Sequence, residues 1–250
     1  MRLNQELKSA KGDQISYSMD FHVQPIICCH TDTTFGYEIL LRANESSPLN
    51  LFQAAREQNY LYQLDSSAID CALSKLNELA IVWTNIFFNV FPSTIANSQF
   101  IYFINQISNK YPEIMKNIIF ELNEDIQDEE VWDSFAFKMH INALKKKGFK
   151  IAIDDFGTGA ANISKVCNVN PHYIKLDKSY SRNLYTSKEK QRVISMITKF
   201  KDRKFSIVLE GIENYQDLKL AKQLGVDYCQ GYFISRPFNM NRLKLNNKLI

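Results

Sequence analysis

Eight short runs rich in β-branched and aromatic residues recur along the chain: HVQPIICC, FGYEILL, IFFNVFP, IIFELNE, KIAIDDF, YIKLD, FSIVLEG and YCQGYFIS. Each has the length and composition of a strand, and most are bounded by turn-forming residues. Between most of them lie segments whose apolar residues recur at three and four: PLNLFQAAREQ, QLDSSAIDCALSKLNELA, NSQFIYFINQISNKY, EEVWDSFAFKMHINALKKKG and NYQDLKLAKQLG. That spacing is helical. Strands alternating with helices predict parallel pairing, and eight such units predict a closed (β/α)8 TIM-barrel-like α/β fold, with an open doubly wound sheet as the alternative. One link breaks the alternation: only HTDTT separates Cys29 from Phe35, too short for a parallel crossover. The first strand is therefore expected to run antiparallel to the second.

Composition narrows the class without changing that picture. At 250 residues, 45% apolar and 23% charged, the chain fits one globular barrel domain over 21–250 behind a polar extension over 1–20. The net charge of +3 is too small and dispersed to imply a DNA or RNA partner. The run Lys145 to Lys147 precedes Gly148 and reads as a helix C-terminus, where cations and a left-handed glycine cap are favoured. KEKQRVISMITKFKDRK reads as an amphipathic helix with Val193, Ile194, Ile197 and Phe200 inward. No segment approaches the ~18 apolar residues of a membrane span, nor does the N-terminus carry a secretory apolar core, so a cytoplasmic protein is expected. The five cysteines lack CxxC spacing and read as reduced, mostly packed side chains.

Polar residues interrupt every apolar strand: Gln24, Glu38, Asn89, Glu121, Asp154 with Asp155, Lys175, Glu210 and Gln230. Singly, each has an ordinary reading. Asp-Asp-Phe-Gly suits a tight turn, and Glu38 could pair with Arg42. Together they place carboxylates, an amide and a lysine where an unpaired charge would cost several kcal/mol, so they call for a shared counter-ion at one end of the barrel. Hard oxygen donors suit Mg²⁺ or Mn²⁺, whereas His22, His30, His140 and His172 lack metal-ligand spacing. The paired aspartates suit a site for two ions, one carboxylate bridging both, and two-metal sites characteristically hydrolyse phosphate esters. Gly157 and Gly159 would let the following loop bend over that site.

With these residues in place the chain resembles the EAL-domain phosphodiesterases of cyclic di-GMP, from about Phe21 to Pro237. The signature appears as Glu38-Ile39-Leu40, continued by Leu41-Arg42, and further matches are FNVFP, ELNE, DDFGTG, IKLD with Lys175 and Asp177, LEGIE and QGYFISRP. The resemblance implies a barrel with an antiparallel first strand and hydrolysis of cyclic di-GMP to linear pGpG by two-metal-activated water. It implies a first metal at Glu38, Asn89, Glu121 and Asp154, and a second at Asp154, Asp155 and Glu210. Lys175 would orient water and stabilise charge. Gln24, Leu40, Arg42, Gln230 and Pro237 would contact the nucleotide, while Glu124 and Glu213 would anchor loops. A homodimer is implied as well.

Three departures from the family pattern stand out. Ile39 replaces the signature alanine, GAANIS replaces the commoner continuation after the aspartate pair, and Arg56 reads as a surface change. All expected metal ligands are present, which favours an active enzyme over the alternative, a receptor for cyclic di-GMP or a protein-binding regulator. The sequence reads as a stand-alone domain, whose control would rest on expression, dimerisation or a regulatory protein partner.

Overall fold

The computed structural model describes residues 19–42, 47–81, 84–123, 125–157, 163–199 and 205–246. Eight strands close into a barrel: β1 (Asp20–Cys28), β2 (Thr34–Arg42), β3 (Asn85–Val90), β4 (Ile118–Leu122), β5 (Lys150–Phe156), β6 (Tyr173–Leu176), β7 (Ser206–Leu209) and β8 (Tyr228–Cys229). From β2 to β8 every neighbouring pair is parallel. β1 lies between β2 and β8 and is antiparallel to both, as the short HTDTT link requires. That link is a tight turn in which Asp32 N–H donates to Cys28 O and Cys28 N–H to Thr33 O, both at 2.9 Å. A further two-residue strand, β9 (Phe238–Asn239), pairs with the start of β1.

The longer helices are α1 (Pro48–Glu57), α2 (Leu61–Glu78), α3 (Phe100–Lys110), α4 (Phe135–Lys146), α5 (Ile163–Val169), α6 (Lys188–Lys199) and α7 (Tyr215–Gln223). Local chemistry sets their ends. Ser47 Oγ caps α1 through Asn50 N–H at 3.2 Å, with Pro48 in the first turn, and Asn214 caps α7 through Asp217 N–H at 2.8 Å. The lysine run ends α4 as expected: Gly148 takes φ 91°, and Lys145 Nζ donates to Asn170 O at 2.7 Å and to Val169 O. In α6, Ile194 is buried and Val193 and Ile197 half-buried; Phe200 lies outside the described residues.

Two elements differ from the periodicity reading. The pattern over 129–148 predicts one helix, whereas a 3-10 helix, Ile126–Asp133, precedes α4 and the two meet at Ser134. Ser134 Oγ accepts from Phe137 N–H at 3.2 Å, so a side-chain cap ends one segment and starts the next. The eighth strand is two residues rather than the predicted eight. After it, Ile234 and Ser235 N–H groups both fold back onto Gly231 O, at 3.0 and 3.1 Å. A Cβ on Gly231 would lie 2.2 Å from the backbone N and O of Ile212, so the chain passes there only because no side chain is present.

Alternation along the strands sorts the barrel into layers. Ile26, Phe87, Ile119, Ala152, Tyr173 and Val208 form one buried cluster with Phe35 and Tyr228, an apolar plug in the lower barrel. Two residues beyond Phe87, Ile119, Ala152, Tyr173, Val208 and Tyr228 come Asn89, Glu121, Asp154, Lys175, Glu210 and Gln230. Because β1 runs the other way, Gln24 precedes Ile26 by two. Period-two geometry thus stacks a polar ring directly on the apolar plug, at the C-terminal ends of the parallel strands. Outward-facing residues such as Tyr37, Ile39, Phe88 and Phe120 pack under α2, α3 and α4, and Ile174, Leu176, Ile207 and Leu209 under α6 and α7. Ile39 is 5% exposed in that outer layer, directed away from the ring.

Candidate active site

Lys175, 1% exposed, stands at the centre of the ring. Its Nζ lies 2.6 Å from Glu210 Oε1, 2.8 Å from Glu121 Oε1, 3.0 Å from Asp154 Oδ1 and 3.5 Å from Glu38 Oε2. Burial alone would lower its pKa, but Asp154, Glu121, Glu210 and Glu38 outweigh that and hold it well above 10.5. The lysine is a fixed ammonium, unsuited to accept a proton.

Amides hold the rim of the ring. Asn89 Nδ2 donates to Glu38 Oε1 at 3.1 Å, and Gln230 Nε2 to Glu38 Oε2 at 2.6 Å and Gln24 Oε1 at 3.2 Å. Gln24 Nε2 in turn donates to Ser235 O at 3.0 Å, tying the loop after β8 to β1. Gln230 is 3% exposed, and both of its bonds run within the ring.

The adjacent aspartates serve one site through a backbone irregularity. Neighbouring strand residues ordinarily face opposite ways, but the β5–β6 register shifts between Ile153 and Phe156, and Asp155 takes φ 50°. The left-handed conformation at a non-glycine residue brings the Asp155 carboxylate beside that of Asp154. Ligand oxygens of Asp154, Asp155 and Glu210 lie within 4.8 Å of one another. Gly157 follows with φ 101°, where a Cβ would lie 2.3 Å from the Tyr180 hydroxyl; Gly159 lies outside the described residues.

Five carboxylates face one ammonium. Fully ionised, they leave four formal negative charges, the number that two divalent cations neutralise. Without cations, protons take that place: burial pushes Glu210 up to about 8 and Asp155 up to about 6, with Asp154 adding to both, and burial lifts Glu121 well above 4.5. Glu121 is fully buried, and its Oε2 has no hydrogen-bond partner among the described residues. An orphaned carboxylate oxygen of this kind fits a metal ligand, and the set as a whole offers only hard oxygen donors.

Leu40 and Arg42 border a cavity of about 310 Å³ that Asn89, Asn123 and Asp65 also line, beside α1 and α2. Pro237 is half-buried just before β9. Glu213 is exposed and makes no hydrogen bond or ion pair among the described residues, and Glu124 lies outside them. The histidines have ordinary surroundings: His140 Nδ1 meets Ile95 O at 2.6 Å and His172 Nδ1 accepts from Ile151 N–H at 3.1 Å.

Arg56 is not the surface change its position suggested. It donates to Asp128 at 2.6 Å and to Asp125 at 3.1 Å, joining α1 to the 3-10 helix, and Asp128 in turn accepts from Ser93 N–H at 3.0 Å. Asp65 is another residue that sequence reasoning missed. Buried on α2, it accepts from Phe91 N–H at 3.1 Å, fixing the turn that follows Asn89, and burial raises it to about 7. The available signal was an acid on the apolar face of the helix, next to Leu64 and in line with Ala68 and Ile69.

Comparison with known proteins places this geometry. A family model described as the EAL domain matches residues 7–237. The chain belongs to the EAL domain family. Among curated relatives, the cyclic di-GMP phosphodiesterase PdeF of Escherichia coli K12 is 28% identical over 252 residues, covering 95% of this chain. The chain spans only 33% of PdeF's length. An EAL domain protein from Listeria monocytogenes EGD-e superposes with a TM-score of 0.78 at 22% identity, covering 93% of this chain and 94% of that one. Klebsiella pneumoniae BlrP1, in a complex with manganese and cyclic di-GMP, gives 0.77 at 23% identity, covering 92% and 58% respectively. At these identities the solved structures establish a shared fold. No described helix is long and apolar enough to cross a membrane.

Proposed function

We propose that this EAL domain is a metal-dependent phosphodiesterase that opens cyclic di-GMP to linear pGpG. The observation that carries the reading is the ring itself, five carboxylates and their amide partners around one buried ammonium, with a fully buried Glu121 oxygen that has no partner among the described residues. Glu38, Asn89, Glu121 and Asp154 would hold a first Mg²⁺ or Mn²⁺, and Asp154, Asp155 and Glu210 a second. When bound, two such cations activate water and neutralise developing charge on the phosphate.

The chain's own groups do the rest. Lys175, locked as an ammonium, orients the attacking water and stabilises negative charge, while Gln230 and Asn89 hold the Glu38 carboxylate in one orientation. Gln24, Leu40, Arg42, Gln230 and Pro237 would seat the dinucleotide, Arg42 offering a guanidinium fork to a phosphate. The same reading includes a cytoplasmic homodimer, checked by mass in solution with ligand present.

The test is incubation of purified protein with cyclic di-GMP and Mg²⁺ or Mn²⁺, following pGpG by chromatography. Product that disappears with a chelator and in Glu38→Ala supports the enzyme. Nucleotide that co-elutes intact points to a receptor, and activity retained in Glu38→Ala removes the assignment of the first metal.

A further inference from the structure

Outside the acid ring, the barrel holds a second cluster of reactive side chains. Cys29 and Cys229, 200 positions apart in sequence, bring their Sγ atoms to 3.3 Å. Both are free thiols, 7% and 0% exposed, in the apolar layer beneath α7. The pairing of β1 with β8 explains the meeting. Ile27 stands opposite Cys229, and Cys29 N–H donates to Asp227 O at 2.9 Å, so the two cysteines are diagonal neighbours on one face of the sheet. Cys28, one residue earlier, faces the other way and is half-buried.

We propose that Cys29 and Cys229 are a redox-active dithiol, converted by a hydroperoxide to a disulfide across the seam that closes the barrel. That seam is short, with only two residue pairs joining β1 to β8. Access favours Cys29 as the attacking group, because it ends directly in the exposed turn 30–34. Contact with Cys29 and burial hold the Cys229 thiol well above its ordinary 9.0, while the Lys222 ammonium opposes that rise.

The chemistry balances in two steps. Cys29 Sγ attacks the distal oxygen of the hydroperoxide, the O–O bond breaks, and the departing alkoxide takes the thiol proton and leaves as an alcohol, giving Cys29 sulfenic acid. Cys229 Sγ then attacks the Cys29 sulfur, the S–O bond breaks, and hydroxide leaves with the Cys229 proton as water. The pair has lost two electrons and two hydrogens, and a dithiol reductant reverses the change. Exposed Cys71 and Cys167 act as internal references for unassisted oxidation.

The experiment treats reduced, chelator-washed protein with hydrogen peroxide, blocks remaining thiols after denaturation and maps peptides without reduction. The expected result is a cross-linked peptide joining Cys29 to Cys229 at peroxide doses that leave Cys71 and Cys167 mostly alkylated, together with a raised melting temperature that dithiothreitol reverses. In Cys229→Ala, Cys29 should accumulate as a sulfenic acid trapped by dimedone. Cys29 and Cys229 remaining free when Cys71 and Cys167 are oxidised, or a disulfide formed through Cys28, would overturn the proposal. Both readouts are independent of cyclic di-GMP hydrolysis, so the two readings stand or fall separately.

Discussion

Replacing Lys175 by Met keeps most of the side-chain volume and removes the one cation of the acid ring. In the native protein that cation touches Glu210, Glu121 and Asp154 within 3.0 Å and is 1% exposed, so water cannot take its place. Removing one partner of a buried ion cluster costs about 3–5 kcal/mol, because the remaining charges stay buried without compensation. That is a large share of the roughly 5–15 kcal/mol by which domains are stable. The loss should be larger near pH 8 with chelator present than near pH 6, where Glu210 is protonated and Asp155 partly so. Urea unfolding at the two pH values measures it. Added Mg²⁺ should restore much of the stability, yet turnover should stay at least about 100-fold down, the scale of losing one preorganised charge-stabilising group. A loss under about 1 kcal/mol at pH 8, or the same loss at both pH values, would refute the view that the ammonium holds the ring together.

Other expectations follow from the same geometry. In metal-free protein the folded-state values of Glu210 and Asp155, about 8 and about 6, lie above the ordinary 4.5 and 3.8, so the native state holds the extra protons. Their contribution to stability is complete below the ordinary values and is lost as pH rises through 6 and 8; Mg²⁺ should therefore raise the melting temperature more at pH 8 than at pH 6, and an equal rise would count against metal binding at these acids. Gly231→Ala should cost about 2–3 kcal/mol in chemical unfolding, because its Cβ would meet Ile212 backbone at 2.2 Å; near-native stability would mean the loop is free to move. Arg56→Ala should cost about 1–3 kcal/mol by leaving the buried Asp128 short of a donor, whereas a surface arginine would cost almost nothing.

Much of the fold was legible because strand periodicity is local. Apolar Ile119 and polar Glu121, or Tyr173 and Lys175, sit two apart, so one face of one strand supplies both plug and ring. The five-residue HTDTT link sufficed to reverse β1. What escaped depends on contacts distant in sequence or on single dihedrals. Nothing in Asp154-Asp155 announces that the second residue adopts φ 50°, which lets adjacent acids share a site. Ser134 looked like one polar position in a helical pattern until its hydroxyl was seen capping α4. Arg56 and Asp128 lie 72 positions apart, and Cys29 and Cys229 lie 200 apart, separations that no window of sequence relates. The short eighth strand has a similar cause, since the close approach of Gly231 to Ile212 is set by packing between two loops.

The central claim is that the acid ring at the barrel mouth holds two divalent cations against cyclic di-GMP. Anomalous diffraction from crystals of the Asp155→Asn protein soaked with Mn²⁺ and cyclic di-GMP, compared with the unaltered protein, tests it most directly. The account predicts two manganese peaks in the unaltered protein, one among Glu38, Asn89, Glu121 and Asp154 and one among Asp154, Asp155 and Glu210, with the second weakened or lost in the variant. Nucleotide bound with no manganese in the ring, or manganese bound elsewhere and unaffected by the substitution, would contradict it.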